Sequence, residues 1–215
     1  MIKPIDPGIR LDGFVLVGGA SSRMGKDKAQ MTIGGVKLFE RAATALGEIC
    51  HQRVSLVRRY GTYDPLCTEL DIAALSDLRV RGRNLPRAPI IGLYTALTKA
   101  KTPWITVLAC DLPFVTGDLM TKLSSFCSDE FDAVVPVQPD TRPQPLCAFY
   151  QRESCLLAVE RMLFAGDLKL QRLMSHVRTR FVNFEEISEL PGSANFFLNV
   201  NTIEDYESAE RIISS

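Results

Sequence analysis

The spacing of apolar side chains along this chain changes repeatedly between the pattern of strands and the pattern of helices. Short apolar runs at residues 13–17, 53–57 and 104–109 predict buried strands, of which the last is the clearest. Between them, residues 38–49 repeat apolar side chains at the helical period, and a second helix is expected at residues 91–99. This alternation indicates an α/β protein whose mostly parallel sheet is covered by helices on both faces.

The second half of the chain continues the alternation up to a final helix. Its predicted elements are a helix opened by a Thr116 cap, strands at residues 133–137 and 146–150, a helix through Ala158 and Leu163, and a shorter helix near Leu173. Thr202 and Asp205 have the spacing of a capping box, which predicts a final helix with one face formed by Ile203, Tyr206, Ala209 and Ile213. Residues 61–89, rich in Pro, Asp and Arg, predict a loop.

Composition and charge exclude several classes of protein. The 215 residues carry 25 basic and 25 acidic side chains, so the positive surface expected of a nucleic-acid or anionic-membrane binder is missing. No apolar run approaches the ~18 residues of a membrane helix, and residues 1–12 lack the apolar centre of a secretion signal. Six cysteines without a Cys-x-x-Cys pair are expected to be buried free thiols. We therefore expect a cytoplasmic protein with an N-terminal extension, residues 1–12, and one domain, residues 13–215.

The strand at residues 13–17 leads directly into a loop that has the composition of a phosphate-binding loop. Gly18 and Gly19 let backbone N–H groups approach an anion, and Arg23, Lys26 and Lys28 can meet several phosphate oxygens at once. The spacing excludes a P-loop, because five residues separate the second and third glycines of the loop and an aspartate follows the first lysine. The dinucleotide fingerprint Gly-x-Gly-x-x-Gly is absent as well.

This loop resembles the signature loop of the molybdenum cofactor guanylyltransferases. Its residues 16–29 match every fixed position of Leu-x-Gly-Gly-x-Ser-x-Arg-Met-Gly-x-Asp-Lys-Ala. The resemblance implies a three-layer α/β/α, Rossmann-like nucleotidyltransferase fold with a mostly parallel central sheet. It also implies transfer of GMP from GTP to the phosphate of molybdopterin, with release of pyrophosphate.

Asp111 is the second residue after the strand at residues 104–109, so it should lie at the carboxyl end of that strand, where ligands of open α/β sheets collect. Its alternative role is to start a turn before Pro113, which is common for aspartate. The segment Cys-Asp-Leu-Pro-Phe resembles the metal-binding segment of the same family. The resemblance implies that Asp111 binds Mg²⁺, the expected cofactor, together with substrate phosphates.

Three further segments extend the resemblance to about residue 210. Residues 89–93, which include Gly92, resemble a Gly-Pro-Leu-x-Gly segment, and residues 145–150 resemble a Pro-Leu-x-Ala-Leu-Tyr strand. Residues 197–205 resemble Phe-x-Asn-Val-Asn-Thr-Pro-Glu-Asp. From the residues alone, Asn199 and Asn201 could either grip a substrate or satisfy a turn. The family pattern implies that they bind the substrate.

The resemblance assigns roles to individual residues. The implied catalytic residues are Arg23, Lys28 and Asp111, and the implied nucleotide-binding residues are Leu16, Val17, Gly18, Gly19, Lys28, Asp77, Gly92 and Asp111. Asp77 is aligned loosely, because an arginine-rich insert, residues 79–87, follows it; this insert could be a solvated loop or could meet an anionic pterin or a partner protein. Expected partners are GTP, molybdopterin and the proteins that deliver molybdopterin or mature molybdoenzymes, with no nucleic acid and no membrane.

Three alternatives remain open at this point. A cytidylyltransferase acting on molybdopterin or another phosphorylated small molecule shares the fold and much of the loop, although such enzymes tend to have Ala-Ala-Gly where this chain has Val17-Gly18-Gly19. A GTP-binding regulatory module is disfavoured, because no Asp-x-x-Gly segment lies near Asp111. An interaction protein that has lost catalysis is disfavoured by the intact Arg23, Lys28 and Asp111.

Overall fold

The computed structural model describes residues 10–17, 28–50, 53–58, 67, 72–80, 85–86 and 88–214. Its strands are β1 Leu11–Val17, β2 Thr32–Ile33, β3 Val36–Lys37, β4 Arg53–Arg58, β5 Ala73–Ser76, β6 Trp104–Ala109, β7 Ala133–Pro136, β8 Cys147–Gln151 and β9 Thr179–Val182. Its α-helices are α1 Leu38–Gly47, α2 Pro89–Lys99, α3 Gly117–Ser124, α4 Arg152–Ala165 and α5 Ile203–Ser214. Short 3₁₀ turns occur at Lys28–Gln30, Leu170–Ser175, Phe184–Glu186 and Ser193–Asn195.

Seven strands form the central sheet in the order β5-β4-β1-β6-β8-β7-β9. All neighbours are parallel except that β8 is antiparallel to both β6 and β7. The carboxyl ends of β1, β4, β5, β6, β7 and β9 therefore meet at one edge of the sheet, together with the amino end of β8. We call this edge the site edge. The mostly parallel sheet expected from the sequence is confirmed.

Helices cover both faces of the sheet, as the apolar pattern predicts. One buried cluster joins α1 and α3 to alternate strand residues such as Leu108 and Phe149. A second cluster joins α2 and α4 to the intervening residues, such as Val107 and Tyr150. Because successive strand side chains point to opposite faces and helices cover both, the central strands β1 and β6 are buried along their whole length. No helix among the described residues is long and apolar enough to span a bilayer.

Some elements differ from the sequence-based expectation. The strand β5 lies inside residues 61–89, where a loop was predicted; its residues are mostly exposed at the border of the sheet, so they lack the apolar run that marks a buried strand. The hairpin β2–β3 and the strand β9 were not predicted either. In that hairpin the strands are two residues long, and they are joined by Gly34 and Gly35, whose φ angles of +57° and +77° suit a two-residue turn.

The capping box that opens α5 is confirmed in both directions. The Asp205 N–H donates to Thr202 Oγ1 over 3.1 Å, and the Thr202 N–H donates to Asp205 Oδ2 over 2.8 Å. The apolar face predicted for this helix is only partly buried, because Ala209 is sealed whereas Ile203 is 56% exposed. All six cysteines are free and buried, as expected.

Candidate active site

The carboxyl ends of β1 and β6 are adjacent, and this adjacency places Asp111. The two strands pair in register up to Leu16 and Ala109, and beyond them the Cys110 N–H donates to the Leu16 carbonyl over 3.2 Å. Asp111 is therefore the second residue past the end of β6, next to the end of β1. Its carbonyl accepts a hydrogen bond of 2.9 Å from the N–H of Val200, so residues 197–202 cross the site edge at this point.

Lys28 joins the end of the predicted phosphate loop to this crossing segment. Its Nζ donates to Asn201 Oδ1 over 2.7 Å, although 173 residues separate the two along the chain. Lys28 begins a 3₁₀ turn whose next residue, Ala29, is buried in the core and fixes the turn against the sheet. The structure thus brings Lys28 and Asn201, both predicted from the sequence, into direct contact beside the end of β6.

The Asp111 carboxylate is half-buried, and its ionised form is favoured by nearby positive charge. Burial raises the pKa of the Asp111 carboxyl, and the nearby Lys28 charge offsets only part of that rise. A divalent cation would remove the remaining cost of the ionised form. Carboxylate oxygen is also the ligand type that Mg²⁺ prefers, so the donor fits the predicted metal.

Asp111 can share a metal with groups of the substrate. Among the described residues, no three His, Cys, Asp or Glu side chains lie together as a set that could hold a metal. A single carboxylate that shares its cation with phosphate oxygens and waters is the usual arrangement for Mg²⁺ in enzymes that act on nucleotides. The site edge therefore fits a metal that arrives with the nucleotide.

The two asparagines have different surroundings. Val200, which lies between them, is fully buried against Ile33, Leu38 and Ala209. Asn201 is exposed and binds Lys28, whereas the Asn199 amide donates to the Phe197 carbonyl of its own loop over 3.3 Å. One N–H of the Asn199 amide thus supports its own loop in this structure, and a role of Asn199 in substrate binding stays a prediction from the sequence.

Asp205 supports Asn201 from the first turn of α5. Its Oδ2 accepts the Asn201 N–H over 2.9 Å in addition to the Thr202 N–H. Burial alone would raise the pKa of this carboxyl, but these hydrogen bonds and the Lys28 charge together lower it. The sequence identified Asp205 only as a helix cap. Its contact with Asn201 depends on the loop conformation, and no sequence signal identified it.

Hydrogen bonds join the helix α5 to the β2–β3 hairpin, which follows Lys28. The carboxylate of Glu210 accepts the Gly34 N–H, with a shorter distance of 3.2 Å, and also the Tyr206 hydroxyl over 3.0 Å. The Arg41 Nη2 group donates to the Ile33 carbonyl over 2.6 Å on the same hairpin. Asn201 and Lys28 are therefore carried by two elements that are themselves tied together.

Three of the predicted nucleotide-binding residues lie together on the side of β1 that is away from β6. They are Leu16, Asp77 and Gly92. A Cβ atom added to Gly92 would lie 3.4 Å from Leu16 Cδ1 and 3.9 Å from Asp77 Oδ1. The backbone after Asp77 is held by the Thr95 hydroxyl, which accepts the Leu78 N–H over 2.9 Å. Because glycine leaves this space open, the end of β5 and the first turns of α2 form a corner next to β1.

The remaining sequence-predicted residues are less informative. The Val17 side chain is buried, so only its backbone can face a ligand. Gly18, Gly19 and Arg23 lie outside the described residues, as do Arg81, Arg83 and Arg87 of the insert. Arg79, which begins the insert, is exposed.

Comparison with known proteins agrees with the resemblance found in the sequence. The family model described as the MobA-like NTP transferase domain matches residues 13–181. The chain belongs to this family. A probable molybdenum cofactor guanylyltransferase from Geobacillus sp. (strain WCH70) is 30% identical over 201 residues, which cover 92% of this chain and 97% of the relative.

Solved structures give the same assignment for the fold. A crystal structure of molybdopterin-guanine dinucleotide biosynthesis protein A from Archaeoglobus fulgidus has a TM-score of 0.70 and 25% identity, with 94% of this chain and 98% of that one covered. A 2-C-methyl-D-erythritol 4-phosphate cytidylyltransferase from Thermus thermophilus has a TM-score of 0.66 but only 16% identity, with 94% and 98% covered. At that identity the likeness extends to the fold alone. The nucleotidyltransferase fold predicted from the sequence is confirmed. As a member of the family, this chain is a nucleotidyltransferase enzyme.

Proposed function

We propose that this protein transfers GMP from GTP to the terminal phosphate of molybdopterin and releases pyrophosphate. The observation that carries the proposal is the meeting of Lys28, Asn201 and Asp111 at the site edge, where a cation, an amide and a half-buried carboxylate converge. Support also comes from a relative of nearly full length named as a molybdenum cofactor guanylyltransferase.

The chemistry that we propose needs positioning more than acid–base catalysis. A phosphate oxygen of molybdopterin attacks the α-phosphorus of GTP in line, and the bond from that phosphorus to the bridging oxygen of the leaving pyrophosphate breaks. A phosphate monoester with a second pKa near ~6 is already largely ionised at neutral pH, so no strong general base is required. The protein must align the two substrates and neutralise the charge that develops.

Each residue has a part in this scheme. Lys28, held by Asn201, neutralises phosphate oxygens of the nucleotide, and Arg23 and the N–H groups of Gly18 and Gly19 are assigned to the same phosphates from the sequence. Asp111 holds the cation, for which we propose Mg²⁺. When bound there, the cation would withdraw charge from the α-phosphate.

We assign the guanine base to the corner formed by Leu16, Asp77 and Gly92. A carboxylate can accept hydrogen bonds from the N–H groups on the guanine edge, and neither cytosine nor adenine offers the same set of donors. If a bound base leaves the polar groups of such a site unpaired, its binding is weaker by several kcal/mol. We therefore expect GTP to be used in preference to CTP and ATP.

The test is pyrophosphate release from each nucleotide with molybdopterin and Mg²⁺, together with titration of each nucleotide in the absence of the acceptor. Rapid release with GTP, but not with CTP or ATP, supports the proposal. Faster turnover with CTP would move the protein to the cytidylyltransferases, and nucleotide binding without release would favour a regulatory module. The delivery and maturation proteins and the cytoplasmic location stay predictions from the sequence.

A further inference from the structure

Gln144 lies at the site edge, between the strands β7 and β8. The sheet order places Asp77, after β5, and Asp111, after β6, on one side of it. The backbone connects it closely to the end of β6, because the Ala109 N–H donates over 2.8 Å to the carbonyl of Leu146, two residues after Gln144. Gln144 is thus a neighbour of the proposed reaction centre on the side away from the proposed base corner.

The N–H and carbonyl groups of Gln144 are both paired within the protein. Its N–H donates to the Pro136 carbonyl over 2.9 Å, and its carbonyl accepts the Cys147 N–H over 3.1 Å. The next carbonyl, that of Pro145, accepts the hydroxyl of the buried Tyr150 over 2.6 Å. Prolines precede and follow Gln144, and each fixes its own φ and restricts the residue before it. The position of this residue is therefore set before any ligand arrives.

The side-chain amide of Gln144 stands out among the buried polar groups. Gln144 is only 8% exposed. Of the eight buried polar or charged side chains in the described part of the chain, six form hydrogen bonds; the exceptions are Ser55 and Gln144. The Ser55 hydroxyl is sealed within the strand β4, whereas the amide atoms of Gln144 are not among the sealed atoms. A ligand can therefore reach this amide, which offers two donor hydrogens and an acceptor oxygen.

A preorganised, mostly buried amide without a protein partner is expected to have a ligand as its partner. Because the backbone of Gln144 is fixed, its amide can pair only with a ligand group at a suitable position, and this makes the recognition selective. The neighbouring hairpin residues add to this rigidity: Thr141 adopts a left-handed φ of +67°, and the side chain of Arg142 is paired with Asp140. A β-branched residue in that conformation is unusual and indicates that the surroundings determine the loop shape.

We propose that the Gln144 side chain recognises the acceptor substrate by pairing with a polar ring edge that carries a donor and an acceptor side by side. This inference rests on the proposed function, which assigns the nucleotide to the β5–β1 side of Asp111 and leaves the β8–β7 side for the acceptor. The pyrimidinone edge of a pterin has the required pattern of N–H and C=O groups. Gln144 is thus a specificity residue for the acceptor and does not take part in the bond-making step.

The experiment compares Gln144→Leu with wild type and with the matched control Gln138→Leu, which removes a half-exposed amide from the same connection. Four quantities are measured: kcat, KM for molybdopterin, the dissociation constant of GTP with Mg²⁺, and the thermal unfolding midpoint. We expect Gln144→Leu to raise KM for molybdopterin by about tenfold or more, the usual effect of losing a specific hydrogen-bonded pair. The GTP dissociation constant and kcat should change by less than about twofold.

The unfolding midpoint separates recognition from a structural role. If Gln144 stabilised the fold, Gln144→Leu would lower the midpoint; if its amide is kept for a ligand, the midpoint hardly changes, because no hydrogen bond within the protein is lost. An unchanged KM for molybdopterin, an equal weakening of GTP binding, or a lower midpoint would overturn the inference. Wild-type turnover with CTP instead of GTP would refute only the base choice, since the same comparison runs with CTP. No product with any nucleotide would overturn the proposed function and this inference together.

Discussion

The contact between Lys28 and Asn201 leads to a quantitative prediction for a double-mutant cycle. If Lys28 neutralises phosphate charge in the transition state, Lys28→Met removes one preorganised donor. Such a loss costs about 2 to 4 kcal/mol, which corresponds to a decrease in kcat/KM of about 30-fold to 900-fold. Lys99→Met is the matched control, because this exposed lysine ends α2 at the opposite edge of the sheet.

Asn201 acts in part through Lys28, so the two substitutions should not be additive. A hydrogen bond from a charged donor is worth about 1.5 to 3 kcal/mol, and the exposure of this pair argues for the lower value. Asn201→Ala should then lower kcat/KM by about tenfold. If Asn201 serves only to orient Lys28, the double variant is no worse than Lys28→Met, and the coupling energy is about 1.5 kcal/mol.

Steady-state kinetics with GTP and molybdopterin measure the cycle, and thermal unfolding checks that each variant is folded. Independent losses would multiply to about 300-fold or more, and this result would refute the positioning role of Asn201. A decrease at Lys28→Met no larger than that at Lys99→Met would refute the role of Lys28 itself. An exposed pair contributes less than about 1 kcal/mol to folding, so the unfolding midpoints should hardly change.

Two other substitutions separate function from stability. Asp111→Asn should lower turnover by at least about two orders of magnitude, and near-normal turnover with ordinary Mg²⁺ would exclude Asp111 as the metal ligand. The same variant should have a higher unfolding midpoint at neutral pH without nucleotide or added metal, because burial raises the pKa of this carboxyl and makes its ionised form costly to the folded state. Asp132→Asn should do the opposite, since hydrogen bonds from Arg178 lower the pKa of Asp132 to about 2. In the wild type, that stabilisation is complete above the ordinary pKa of about 4 and is lost as the pH falls through about 2. Urea unfolding should therefore show that Asp132→Asn lowers the free energy of unfolding by about 1 to 2 kcal/mol at pH 7, and this difference should disappear in acid. The kcat/KM of the variant should be unchanged.

The elements with a strong apolar period were predictable from the sequence, and the weakly patterned ones were not. The strand β6 is a continuous buried run, and α1 has a clear apolar face, so both were placed within two residues. The strand β5 has mostly exposed, small residues, and β2 and β3 are each two residues long. Such strands are held by pairing with their neighbours, and pairing leaves little trace in the local sequence.

The candidate site shows the same division. The family pattern predicts both Lys28 and Asn201 as site residues. Only the fold explains why these two residues, 173 positions apart, are in contact. The separation of Asn199 from Asn201 depends on the burial of Val200 between them. Gln144 was not identified at all, because a glutamine between prolines is ordinary in sequence and becomes unusual only when the surrounding backbone satisfies every group except its amide.

The order of the strands divides the proposed recognition of the two substrates between separate halves of the sheet. The corner of Leu16, Asp77 and Gly92 lies on the β5–β1 side of Asp111, and Gln144 lies on the β8–β7 side. The two groups share no residue, and Asp111, Lys28 and Asn201 are described residues that lie between them. Changes in base choice and in acceptor choice should therefore be nearly additive in free energy, whereas changes at Lys28 or Asn201 affect the transfer step for every pair of substrates. Such a division would let one fold serve both guanylyl and cytidylyl transfer with different acceptors, because either half can change while the centre of the site edge stays the same.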